Sequence, residues 1–66
     1  MTAIVTCGSR KTSNRFCFQG TVTVRESGQT WRYYTPIIRL TRESALADAK
    51  AFAENDLTGP REIRMA

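Results

Sequence analysis

Histidine is absent from these 66 residues, and cysteine appears only at Cys7 and Cys17. A structural zinc takes four nitrogen or sulfur ligands, so two thiolates in one chain do not complete a site. The missing histidine also removes the commonest general base, and no Ser or Cys stands in a pattern that would supply another. A chain of this size has little room for an enclosed substrate pocket. No catalytic residue, metal or cofactor is therefore expected, and the chain reads as a non-enzyme. Long apolar runs are missing too: nothing approaches the roughly 20 residues a membrane helix needs. The stretch Met1–Thr6 lacks the apolar core of a secretion signal. A soluble, cytoplasmic protein without a membrane partner is expected, with its cysteines reduced.

Acidic residues are scarce in the first two thirds. Residues 1–42 hold seven basic side chains against Glu26 alone, a balance of +6, whereas residues 43–66 hold three basic residues against five acids, a balance of −2. Arginine outnumbers lysine eight to two. Such a split marks an electrostatic footprint for something acidic, and arginine suits bidentate contacts with phosphate and guanine. A hydrophobic content of 41% belongs to a globular domain rather than a disordered tail.

One domain is expected over residues 1–60, with 61–66 as a short tail or weak extra strand. Ala3–Cys7 is short and β-favouring. The polar run Gly8–Arg15 reads as a basic loop, and its Gly and Lys-Thr lack the spacing of a phosphate-binding P-loop. From Phe16 to Glu26 the alternation is clear. Phe16, Phe18, Val22 and Val24 share one parity, and Gln19, Thr21, Thr23 and Arg25 share the other. Gly20 marks a bend or bulge inside this strand. Ser27-Gly28-Gln29 supplies a turn, and Thr30–Tyr34 returns as a hairpin partner. Thr35-Pro36 interrupts that strand before Ile37–Leu40 resumes. A one-residue slip there turns Trp31, Tyr33, Ile38 and Leu40 inward and Arg32, Tyr34 and Arg39 outward, although the opposite parity stays open. Thr41 is a natural helix N-cap, Glu43 suits the first turn, and Ala45, Leu46, Ala49, Phe52 and Ala53 form an apolar stripe. Gly59-Pro60 ends the helix.

The expected fold is thus α+β: a three-stranded antiparallel sheet covered on one face by a single C-terminal helix, in the order β-β-β-α. Phe16, Phe18, Val22 and Val24 would meet Leu46 and Phe52 in the core. The bare sheet face would present Thr21, Thr23, Arg25, Arg32 and Arg39. The loop residues Arg10, Lys11 and Arg15 would grip a phosphate backbone at the sheet edge.

The order of elements resembles the N-terminal arm-binding domain of tyrosine-recombinase integrases. The cadence from Gly20 through Tyr34-Thr35-Pro36 to Glu43-Ser44-Ala45 is similar to small bacterial cell-division activators of the CedA type. The likeness covers roughly residues 16–56. It implies a sheet that docks on duplex DNA, with outward residues such as Thr23, Arg25 and Arg32 touching the backbone. The chain's size also resembles the small inhibitors that phages and mobile elements deploy against host machinery, anti-CRISPR proteins among them. That resemblance implies docking on an acidic surface of a host protein complex. Self-association as a homodimer is a third option, because an exposed edge strand and a small core both favour it.

Overall fold

The computed structural model describes residues 2–13 and 16–66. Strands β1 (Ala3–Lys11), β2 (Phe18–Glu26) and β3 (Gln29–Arg39) precede helix α1 (Arg42–Asn55), and strand β4 (Arg61–Met65) follows it. The sheet order is β3-β2-β1-β4. β1–β2 and β2–β3 are antiparallel, whereas β4 runs parallel to β1. The α+β class is as expected, but the three-stranded antiparallel sheet becomes a four-stranded mixed one. The expected β-β-β-α order therefore accounts for every element except the last.

The fourth strand forms because residues 61–65 alternate. Ile63 turns toward the helix beside Val5, while Glu62 and Arg64 align with Ile4 and Thr6 on the other side. Arg61 fastens its start. Its guanidinium donates to the carbonyls of Ala53 (2.7 Å), Glu54 (2.6 Å) and Gly59 (2.8 Å). Carbonyls at a helix C-terminus have no partner within the helix, and a cation there also meets the negative end of the dipole. One side chain thus caps α1 and anchors β4.

β1 is also longer than the residue pattern suggests. The polar run from Gly8 to Lys11 pairs with Phe18–Thr21 instead of looping out. Strand pairing overrides loop-like composition here because one face of the sheet is wet and accepts polar residues. Arg10 and Lys11 are therefore strand residues, and the β1–β2 connection shrinks to residues 12–17. Phe16, expected in the core, precedes β2 and is 65% exposed.

Between β2 and β3 a two-residue turn has positive φ at Ser27 (53°) and Gly28 (79°), the geometry that matches strand twist in tight hairpins. Trp31 then faces Val24, and Tyr33 faces Val22. Both lie on the helix side, as the slipped reading has it, with Arg32 and Tyr34 opposite. The break at Pro36 is larger than one residue, however. The pairs Thr21↔Tyr34 and Gln19↔Ile38 enclose Gly20 alone on β2 but Thr35, Pro36 and Ile37 on β3. An excess of two residues preserves parity. Ile38 consequently joins the outer face and Arg39 the helix side, the reverse of expectation; Leu40 remains exposed.

At this bulge Thr35 is almost fully buried. Its hydroxyl accepts from the Gly20 N–H (3.0 Å) and donates to the Gly20 carbonyl (3.5 Å), and Gln19 Nε2 donates to the Thr35 carbonyl (2.9 Å). A side chain thus takes over ladder bonds that the interrupted strand no longer makes. Gly20 also lets α1 come close: a Cβ there would stand 2.6 Å from the Ala45 carbonyl oxygen. The helix lays Ala45, Ala49 and Ala53 on the sheet, all fully buried, at the four-residue spacing of one helical face. Ala49 and Ala53 meet Val5, Cys7, Val22 and Val24, with Leu46, Phe52, Leu57 and Ile63 around the rim. Cys7 packs as a small hydrophobe whose Sγ lies 3.7 Å from the Ala49 carbonyl. Burial pushes its thiol pKa up, and both cysteines are free. Thr41 caps the helix as expected, its Oγ1 accepting from the Ser44 N–H at 3.1 Å.

Thr35→Val keeps the shape of the side chain but strands the buried Gly20 amide and carbonyl. It should cost about 1–3 kcal/mol in urea unfolding, with Thr35→Ser retaining most of the stability.

Candidate functional site

Helix α1 covers one side of the sheet, and the other is bare. Strand alternation brings Thr6 and Arg10 of β1, Thr21, Thr23 and Arg25 of β2, and Arg32 and Tyr34 of β3 onto the bare side. β4 adds Glu62 and Arg64. A shallow groove of about 470 Å³ runs across β1, β2 and β3, with Thr21, Thr23, Arg10, Arg32 and Tyr34 around it. Gly8 belongs to its lining, and a Cβ there would lie 3.1 Å from Thr21 Oγ1. The missing side chain keeps the groove open.

The charged side chains on this face are positioned by contacts of different kinds. The Arg10 guanidinium carbon sits 5.3 Å from the centre of the Tyr34 ring, a cation–π arrangement. Arg32 Nε donates to Thr23 Oγ1 at 3.2 Å across the β2–β3 ladder. Arg64 is ion-paired with Glu62 at 2.7 Å. Arg25 stands beside Arg64 along a smaller depression that also includes Ile4, Thr6 and Thr23. The face thus carries Arg10, Arg25, Arg32 and Arg64 against Glu62, a balance of +3. Threonine hydroxyls between the guanidiniums can both donate and accept. No group of three or more His, Cys, Asp or Glu residues is placed to hold a metal ion among the described residues.

No family model, curated protein or solved structure matches this chain.

Of the residues singled out from the sequence, Arg10, Thr21, Thr23, Arg25 and Arg32 converge on this face. Lys11 is exposed at the end of β1, where it pairs with Phe18 and shares the parity of Cys7, away from the groove. Arg15 lies outside the described residues. Arg39 is on the helix side, where Nε and a terminal nitrogen grip both Asp48 carboxylate oxygens at 2.7 and 3.1 Å. Arg42 likewise turns to the helix side, 5.1 Å from the centre of the Phe18 ring. Part of the basic excess of residues 1–42 therefore serves the fold. Tyr34 lies on this face as the slipped parity has it, and three contributors were not anticipated as site residues: Thr6, Gly8 and Arg64. The alternation of residues 61–65 would have located Arg64, and Thr6 lies in the expected Ala3–Cys7 strand, whose faces only the pairing with β2 assigns, whereas Gly8 depends on the extension of β1 beyond Cys7.

The hydrogen bonds and charge of Arg39 hold the Asp48 carboxyl below its usual pKa. A depressed acid stabilises the fold fully above the ordinary carboxylate range. That contribution fades as pH falls through the lowered value. Asp48→Asn should therefore lower the melting temperature at neutral pH, and the gap from the parent protein should close in strong acid. Thermal melts across pH check this, and a gap independent of pH would contradict it.

Proposed function

We propose that this chain is a non-enzymatic nucleic-acid-binding module that lays its bare sheet face on duplex DNA. The observation that carries the reading is the presence of Arg10, Arg25 and Arg32 on one threonine-lined face whose acid, Glu62, is already paired with Arg64. Clustered guanidiniums attract a polyanion and displace its counterions, which is the main source of sequence-independent affinity. Thr21 and Thr23 add hydroxyls that suit phosphate oxygens or base edges.

Duplex is favoured over single-stranded nucleic acid by what the face offers for stacking. Single-strand binders stack successive bases on several exposed rings. Here Tyr34 is the aromatic residue on the bare side of the sheet strands, and Arg10 already stands over its ring. The contacts on offer are charge and hydrogen bonds spread over a sheet, which fit a regular backbone.

Anisotropy titrations of a labelled duplex over a range of salt test the proposal. About three phosphate contacts per chain predict a log–log slope near −3, and Arg25→Ala should flatten it by about 0.9. Arg25→Ala with Arg32→Ala should weaken binding to all sequences while the thermal melt stays unchanged. Absence of duplex binding at low salt overturns the proposal. A salt-insensitive complex with a protein assembly, surviving nuclease, would favour docking on a host complex instead.

A further inference from the structure

We infer that the chain forms a symmetric homodimer, two copies joining antiparallel along their β3 edges with the two-fold axis at Tyr33. The sheet ends on β3 and β4, and the two edges differ. β4 has five residues, three of them charged: Arg61, Glu62 and Arg64. Short, charged strands resist pairing with another chain. β3 has eleven residues, and its regular part before the bulge carries Arg32 as its only charge. Long edge strands rich in apolar residues are templates for a further strand.

Exposed apolar surface gathers on the same edge. Trp31, Tyr33, Ile37 and Ile38 lie on β3, and Leu40 follows it; all are exposed. Trp31 and Tyr33 face the helix side but remain 37% and 38% exposed. Tyr33 reaches the Phe52 ring of α1 at 5.3 Å between centroids, so its other flank is left for a neighbour.

Self-complementarity identifies that neighbour as a second copy. With the axis at Tyr33, Arg32 of each copy stands opposite Tyr34 of the other on the bare face, and the two Tyr33 rings meet on the helix side. Cross-strand aromatic and cation–π pairs are favourable, whereas like charges directly opposite are not. Moving the axis to Arg32 would set the two guanidiniums against each other. An axis at Trp31 would set Arg32 against Thr30 and forgo the cation–π pairs, so the axis at Tyr33 is the better match. Its ladder runs from Trp31 to Thr35 of each copy and stops at Pro36, which has no N–H to donate.

Antiparallel pairing within a sheet places the two-fold axis normal to it. Both helices then lie on one side of an eight-stranded sheet and both arginine faces on the other. The centres of the two four-stranded halves lie four strand spacings apart, or about 19 Å, which is within one turn of duplex, about 34 Å. The dimer itself does not depend on the DNA reading, but it would double the face on which that reading rests.

Sedimentation velocity of the full chain from low micromolar to near-millimolar concentration tests the inference. A monomer–dimer equilibrium is expected, with Trp31→Lys raising the dimer Kd about tenfold or more while circular dichroism stays native. In a Cys17→Ser background, Tyr33→Cys should cross-link on mild oxidation faster than Thr30→Cys, because only position 33 meets its own copy. The cross-linking comparison decides the matter if Trp31→Lys fails to fold. A monomer at every concentration, a dimer unaffected by Trp31→Lys, or equal cross-linking at both positions overturns the inference. A monomer that binds duplex DNA overturns the dimer alone, and a dimer that ignores DNA overturns only the proposed function.

Discussion

Where β3 breaks at Pro36, the sheet loses backbone pairing opposite Gly20, and the Thr35 hydroxyl takes the place of the missing strand partner. The repair has to be compact, because the Ala45 carbonyl of the helix lies directly over Gly20. A glycine on the strand, a threonine in the bulge and an alanine on the helix thus meet at one point. Leaving the Gly20 amide and carbonyl unpaired in this dry spot would carry the full desolvation penalty of buried polar groups. The close helix–sheet spacing set here continues along Ala49 and Ala53, whose small side chains admit Val5, Cys7, Val22 and Val24 beneath them.

This spacing also determines how charge is sorted. Arg39 is drawn to Asp48, Arg42 to the Phe18 ring, and Arg61 to the carbonyls at the helix end. These cations neutralise an acid, cover an aromatic and cap a dipole on the helix side. The bare face keeps Arg10, Arg25 and Arg32, positioned by Tyr34, Thr23 and the strand ladder. A chain with net charge +4 therefore presents most of its usable positive potential on one side. An asymmetric field of this kind orients an approaching polyanion as well as attracting it.

Much of this was legible in local pattern. The alternation through Val22, Thr23, Val24 and Arg25 identified both faces of β2, and Thr41 with the alanine stripe located the helix. The misreadings share a cause. Gly8–Lys11 looks like a loop because its composition is polar, yet pairing with β2 extends the strand. Arg39 looks outward if the bulge adds one residue, yet β3 adds two more than β2. Arg61–Met65 stays undecided between a tail and a weak extra strand because five residues carry little hydrophobic signal, and pairing with β1 makes it a strand. Each of these depends on a partner strand or helix remote in sequence, and no window along the chain contains that partner.

By itself the sequence determined the α+β class, the face assignments of β2, the cap and buried stripe of α1, and the excess of arginine over acid in the first two thirds. These follow from periodicity, capping chemistry and composition, which are local or additive. Tertiary structure alone decided that β4 joins β1 in parallel, that Gly8 leaves a groove open, and which arginines remain for a partner. An arginine's role depends on whether a carboxylate, carbonyl or ring lies within reach, and those neighbours are set by strand register and helix placement.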